Sequence, residues 1–214
     1  DWSNLDEGTQ LSADIGLPNC KVVTPAEEFD AKRLLESFEH QIMVGPEEFE
    51  TVAIGMESDN YVQIFDISPY FLNAVMTTED SRFYDHDGFI GREFRSALVR
   101  NLEAGRFKFG ASSITMQMVK NVFLYRDKTI SRKLQELFLT WYVEEILDKN
   151  RILEIYVNAI EYGPAVYGIK QASETYLDKH PRDISPREAA WLASLLPSPR
   201  RRYFQYCQDK LTRK

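Results

Sequence analysis

The feature that most restricts this fold is an almost unbroken helical periodicity from Pro69 to Leu195. It is cut by Gly88, Gly91, Gly105, Gly110, Gly163 and Gly168, with Pro197 and Pro199 beyond it. Apolar residues recurring at i, i+3, i+4 and i+7 demand helices that bury one face, and the glycines and prolines mark their ends. Helices are expected near 69–80, 91–104, 113–124, 131–147, 149–158, 165–178 and 186–195, the prolines stopping the last. Upstream, Tyr61 to Ile67 alternates apolar and polar residues and reads as a short strand. Residues 1–60 look irregular, with an acidic helical stretch near Ala26–His40. The expected class is mainly α, with one domain over 61–214 and an acidic N-terminal extension of uncertain fold over 1–60.

A chain of 214 residues with 43% hydrophobic side chains can build a substantial single core. Its apolar runs are short, so neither a membrane-spanning helix nor a signal peptide is read. The chain starts at Asp1, which fits a processed fragment whose anchor lay upstream. Cys20 and Cys207 are too few for a disulfide framework, though they could pair. His40, His86 and His180 are scattered, so no zinc spacing is present.

The net charge of −7 conceals an uneven distribution. Residues 1–60 hold 14 acidic side chains against Lys21, Lys32 and Arg33, a balance of −11. Residues 106–133 hold seven basic side chains against Asp127 alone, a balance of +6, and the stretch from Arg200 to Lys214 stands at +5. A basic middle in an acidic chain fits a local anionic ligand; an unevenly charged solvated surface is the alternative. The basic residues are not interleaved with stacking platforms, which argues against nucleic acid.

Three stretches carry candidate chemistry. In the first, Ser68 suits an N-cap and Pro69 the first helical position. Leu72, Val75 and Met76 then share a stripe that Glu79 continues. A carboxylate on an apolar stripe is partly desolvated, and desolvation raises a carboxyl pKa toward the range useful for proton transfer. A frayed helix end with Glu79 and Asp80 solvated is the other reading. In the second, Gly110 to Asn121, Ser112 is a good N-cap, and Ser113, Gln117 and Lys120 fall on one helical face. The free N–H groups of that first turn would favour an anion, although capping alone also explains the glycine and serine.

In the third stretch, Leu134, Leu137, Phe138 and Trp141 form one apolar stripe, with Leu139 and Val143 on the opposite side. The helix should therefore be largely buried. Arg132 and Glu136 form an ordinary intrahelical pair on one reading. On the other, Arg132, Lys133 and Glu136 project into a cleft.

Taken in order, these stretches resemble a family. Glu79-Asp80, Phe83, His86 and Gly88 look like its first motif, Gly110 to Asn121 its second, and Arg132-Lys133 with Glu136 its third. Arg151-Ile152-Leu153-Glu154, Tyr156-Val157-Asn158, Gly163, Tyr167 and Gly168 resemble the fourth. Glu188-Ala189-Ala190, Leu192-Ala193, Leu195, Pro197 and Pro199 resemble the fifth. The family is the peptidoglycan glycosyltransferases, found in bifunctional penicillin-binding proteins and monofunctional transglycosylases.

The resemblance implies a lysozyme-like, two-lobed helical domain that polymerises lipid II into glycan strands and releases undecaprenyl pyrophosphate. Glu79 then matches the general base on the acceptor 4-hydroxyl. Glu136 matches a second glutamate that assists at the pyrophosphate, directly or through a divalent cation (magnesium or manganese), with no tightly bound cofactor. Lys120, Lys128, Arg132 and Lys133 match phosphate-holding residues. Ser112, Ser113, Gln117 and Asn121 would line the cleft, and Asp80, Phe83 and His86 would shape the loop around Glu79, His86 reading best as structural.

The implied partners are lipid II, the nascent glycan strand and a membrane surface, with room for other cell-wall synthesis proteins. The implied location is the outer face of a bacterial cytoplasmic membrane. Phe89 to Phe109, which mixes aromatics with Arg92, Arg95, Arg100, Arg106 and Lys108, would lie on that membrane; an ordinary amphipathic helix would show the same periodicity.

The sequence departs from the family pattern at Ser113 (usually threonine), Met116 (glutamine in many members), Lys128 (often arginine), Gln135 (sometimes lysine) and Ser173 (commonly alanine). No proposed carboxylate is lost. A lysozyme-like hydrolase is a weaker reading because it has no use for a phosphate-binding cluster. A non-catalytic module that binds lipid II as a scaffold is the alternative from another class.

Overall fold

The computed structural model describes residues 29–45, 48–89, 91, 96, 99–100, 112–124 and 130–208. Among them, helices dominate: α1 (Pro69–Glu79), α2 (Ile114–Phe123), α3 (Ile130–Ile146), α4 (Lys149–Ala159), α5 (Ile169–Leu177), α6 (Pro186–Leu195) and α7 (Pro199–Cys207). Two small antiparallel pairs accompany them, β1 (Phe38–Gly45) with β2 (Glu48–Ile54) and β3 (Glu161–Gly163) with β4 (Val166–Tyr167). The mainly α class read from the sequence holds.

Helix α2 packs between α3 and α4, and α1 packs along α6. Ile114, Met118 and Val119 of α2 meet Leu139 and Val143 of α3 and Ile152, Ile155 and Tyr156 of α4 in one continuous core. Phe71 and Val75 of α1 join it with Leu192 and Leu195 of α6. Each such apolar side chain contributes roughly 1.5–3 kcal/mol when fully buried. On α1 the innermost pair is thus Phe71 and Val75, with Leu72, Met76 and Glu79 on the half-buried flank.

Local chemistry sets the helix ends. Ser113, one residue later than read from sequence, caps α2 by accepting from Met116 N at 3.1 Å. Asp148 caps α4 by accepting from Arg151 N at 2.8 Å. Ser68 does stand before α1, but its hydroxyl donates to Ile184 O at 2.7 Å and so ties α1 to the approach to α6.

Four expectations are corrected. The helical stretch expected near Ala26–His40 is, from Ala31, one tight turn to Leu35 followed by β1. Phe38, His40 and Ile42 face inward while Glu39 and Gln41 face out, a period of two that the acidic composition obscures. Tyr61 to Ile67 forms no strand. The Asn158 side chain takes the neighbouring strand's place there, accepting from Val62 N at 3.0 Å and donating to Val62 O at 2.8 Å.

The helix expected from 165 starts at Ile169, because β3 and β4 form a hairpin first and Gly168 turns the chain at φ 79°. A Cβ there would sit 2.8 Å from Asn158 O. Finally, Pro199 does not end the helical region: it opens α7 at the N1 position. The helix expected over 91–104 lies mostly outside the described residues, as do most of the basic aromatic segment to Phe109 and Cys20. No helix among the described residues is long and apolar enough to cross a membrane.

Candidate active site

The end of α1 places two adjacent carboxylates in different surroundings. Asp80 is 7% exposed and turns into the structure. Its Oδ2 accepts from Ile114 N at 3.1 Å, at the positive start of α2, and both its oxygens lie 3.0 Å from His86 Nε2. Asp80 therefore joins the loop after α1 to the start of α2. Phe83 is a core residue, with Lys149 Nζ 4.7 Å above its ring and His86 at its edge.

Glu79 has one oxygen engaged and one unpartnered. Oε2 accepts from Gln117 Nε2 at 2.9 Å. Oε1 is buried and has no hydrogen-bond partner among the described residues. Behind Gln117 stands Tyr156 of α4, 1% exposed, whose hydroxyl donates to Gln117 Oε1 at 3.2 Å. Burial, and then the charges of Glu79 and Asp80, push the Tyr156 phenol well above its ordinary range, so it stays protonated.

The start of α2 is fastened beside this corner. The Ser113 hydroxyl donates to Gly88 O as well as capping the helix. Gly88 has φ 87°, and a Cβ there would meet Thr140 Cγ2 at 2.6 Å, so the close approach of this loop to α3 requires glycine. Asn121 Nδ2 donates to Gln117 O at 2.9 Å, one turn below. Lys120 lies on the same helix, partly exposed.

Helix α3 is turned opposite to the expectation from its apolar stripe. Leu134 is 62% and Phe138 49% exposed, whereas Glu136 is 1% exposed and faces inward with Leu139, Thr140 and Val143. Burying a carboxylate requires partners, and this one has two cations. Arg132 Nη1 donates to Oε2 at 2.9 Å and Lys133 Nζ to Oε1 at 2.5 Å. Lys133 Nζ also donates to Ser112 Oγ at 3.3 Å. Helix α2 therefore connects the two centres: Ser112 just before it touches the basic pair, and Gln117 in its second turn touches Glu79.

A cavity of about 800 Å³ opens beside this region. Its walls include Asn121, Arg132 and Gln135 on one side and His40, Thr51 and Tyr167 on the other. Burial holds the His40 imidazole down at about 4, opposed by a hydrogen bond with the Ala159 backbone and reinforced by the Arg33 charge.

Of the fourth stretch, Tyr156 reaches the Glu79 centre through Gln117, whereas Arg151 and Glu154 are engaged elsewhere. Arg151 donates to Leu34 O at 2.9 Å and Glu36 O at 3.0 Å, and pairs with Glu154 at 2.7 Å. Glu154 accepts from Ile64 N at 2.7 Å and from the Tyr61 hydroxyl. Sequence reading missed Tyr156 as a neighbour of Glu79, although its place on the otherwise aliphatic buried face of α4 was a signal. It also missed the buried set in which Thr115 donates to Glu144 Oε1 at 2.5 Å and Lys149 pairs with Glu144 at 2.8 Å. Lys128 lies outside the described residues.

Both Glu136 oxygens are held by cations, and no group of three His, Cys, Asp or Glu side chains among the described residues could hold a metal ion. The donor set does not fit an ion held by protein alone.

A helical domain of lysozyme-like class, with a half-buried glutamate and a basic pair linked by one helix, matches a known sequence family. The transglycosylase family profile fits residues 47–214, and the chain belongs to that family. Among curated relatives, the biosynthetic peptidoglycan transglycosylase of Nitrosomonas eutropha is 42% identical over 140 residues, covering 65% of this chain and 57% of the relative. The protein of that name from Acinetobacter baumannii is 41% identical over 140 residues, 65% of this chain and 61% of its own. That from Nitrosospira multiformis is 43% identical over 134 residues, 63% and 58%. The chain thus spans about three-fifths of the length of these relatives.

Proposed function

We propose that the chain is an inverting peptidoglycan glycosyltransferase that polymerises lipid II at the outer face of a bacterial cytoplasmic membrane. The observation that carries this reading is Glu79, with Oε2 held by Gln117 and Oε1 buried and without a partner among the described residues. An acceptor-only oxygen in a desolvated place suits a general base. Glu79 takes the proton of the acceptor 4-hydroxyl as that oxygen attacks the donor's anomeric carbon. The bond from that carbon to the pyrophosphate oxygen breaks, and its electron pair leaves on undecaprenyl pyrophosphate. Inversion in one displacement needs no covalent sugar–enzyme intermediate.

The leaving group is stabilised by Arg132 and Lys133, which Glu136 orients, together with Lys120 and Lys128. Charge-assisted hydrogen bonds to the phosphates strengthen as negative charge develops on departure. Ser112, Ser113 and Asn121 complete the wall along α2. Asp80 and His86 hold the loop that presents Glu79, with Phe83 packed beneath. The glycan strand and a membrane surface are the partners this reaction requires.

The test is polymerisation of purified lipid II by this chain and by Glu79→Gln. Glycan ladders from the parent, and at least a ~100-fold slower rate from a variant with an unchanged melting temperature, are expected for loss of a general base. A parent that binds lipid II but makes no polymer would overturn the enzyme reading in favour of a lipid II-binding scaffold.

A further inference from the structure

We propose that Tyr156 is a positioning residue for the general base: through Gln117 it keeps one oxygen of Glu79 occupied and leaves the other without a protein partner, as the one to take the acceptor's proton. The inference rests on the glycosyltransfer reading above and adds a residue from a different helix, α4, to the reaction.

The direction of the link follows from chemistry. An ionised carboxylate accepts hydrogen bonds and donates none, so Gln117 must turn its amide nitrogen to Glu79 Oε2, 2.9 Å away. Its carbonyl oxygen then points back to the Tyr156 hydroxyl at 3.2 Å, which must donate. If the amide turned over, its oxygen would face the carboxylate and its NH₂ would face the phenol. A phenol can accept, so Tyr156 alone does not forbid that arrangement, but acceptor against carboxylate is repulsive. The two contacts together select one orientation, and neither does so as well alone.

Burial gives the argument weight. Tyr156 is 1% exposed and belongs to the same continuous core as Ile152, Leu153, Ile155 and Val157, where a phenylalanine would serve for packing. A buried hydroxyl is unfavourable unless it finds a partner, and among the described residues this one meets Gln117. The Gln117 backbone is held in turn, since its carbonyl accepts from Asn121 Nδ2 at 2.9 Å and its N–H donates to Ser113 O at 3.0 Å. The amide therefore sits on a fixed helix turn, and its remaining freedom is rotation of its own side chain. Tyr156 limits that rotation. Without it, Gln117 can swing away, and Glu79 loses the donor that holds its Oε2.

Steady-state polymerisation of lipid II by the parent, Tyr156→Phe, Gln117→Leu and the double variant tests this. Tyr156→Phe is expected to lower kcat about tenfold, with KM within about twofold and the melting temperature nearly unchanged, because a lost orientation acts on the chemical step. Gln117→Leu should lower kcat at least as much, and adding Tyr156→Phe to it should change nothing further, since coupled residues are non-additive. Parent-like kcat in Tyr156→Phe, a loss confined to KM, or a full additional loss in the double variant overturns the inference. Should Tyr156→Phe fail to fold, parent-like kcat in Gln117→Leu overturns it equally. A parent that makes no polymer removes the glycosyltransfer reading and this inference together. An active parent with Glu79→Gln inactive and Tyr156→Phe unimpaired removes this one alone.

Discussion

Two helices of this molecule carry an arginine and a glutamate within one turn, and they use them differently. On α4, Arg151 and Glu154 pair with each other and with the Tyr61 hydroxyl, and both are also tied to backbone, at Leu34 O, Glu36 O and Ile64 N. On α3, Arg132 and Lys133 meet side chains, Glu136 and Ser112. Charges bonded to backbone are consumed in holding the chain's path. Charges bonded to other side chains can be shared with an arriving anion without unfolding anything. The same residue types at nearly the same spacing therefore give a brace in one place and a candidate phosphate site in the other, and the difference lies in what each pair touches.

The comparison can be broken first at the brace. Glu154→Ala removes the partner of Arg151, Tyr61 and Ile64 N at once, and should cost about 3–5 kcal/mol as a broken, largely buried ion pair. Chemical denaturation should show this, with lipid II affinity little changed at temperatures where the variant is folded. An equal loss of stability from Glu136→Gln would erase the distinction.

The β1–β2 hairpin, which follows the segment that Arg151 holds, buries His40, so stability should respond to pH. His40 titrates at about 4 in the folded chain against an ordinary 6.5. The unfolded chain then binds more protons between those values, and stability present above pH 6.5 is lost as pH falls toward 4. The loss is up to about 3 kcal/mol. Urea midpoints across that window should fall in the parent and stay flatter in His40→Asn.

On the other side of the comparison, Glu136→Gln should slow polymerisation about 100-fold, roughly 2.7 kcal/mol of barrier. Its unfolding free energy should fall by less than that of Glu154→Ala, because glutamine keeps a polar side chain of the same shape against Arg132 and Lys133 while alanine removes every contact of Glu154. Gly88→Ala comes next: a positive φ and a 2.6 Å approach to Thr140 Cγ2 predict about 1–3 kcal/mol of destabilisation, measurable by thermal melting. The smallest effect is expected at the exposed Lys179–Glu188 pair, where Lys179→Ala should change stability by under ~1 kcal/mol. A larger change there would show that ion pairing as such, rather than what the pair touches, sets the scale.

Much of the helical framework was legible because 3.6-residue periodicity and caps are local. The bounds of α1, α2, α3, α4 and α6 fall within a residue or two of the reading. Glu79 and Glu136 could be picked out by position and by resemblance. The orientation of α3 could not, since Leu134 and Phe138 look like core by pattern, and only the pairing of Glu136 with two cations made the other face the buried one. Tyr61 to Ile67 misled for a related reason. Alternation signals a strand only if another backbone arrives to pair with it, and here a side-chain amide arrived.

What the sequence determined alone was most of the helices, many of their ends and the inventory of charged residues, because each depends on neighbours within a few positions. The tertiary structure decided which charges are spent and which stay available. Whether Arg151 meets Leu34 O, whether Lys133 meets Ser112, and whether Gln117 finds Tyr156 behind it, depends on elements far apart in the chain meeting within 3.5 Å. Hydrogen bonds act only at contact distance, and for segments far apart in sequence packing alone sets that distance.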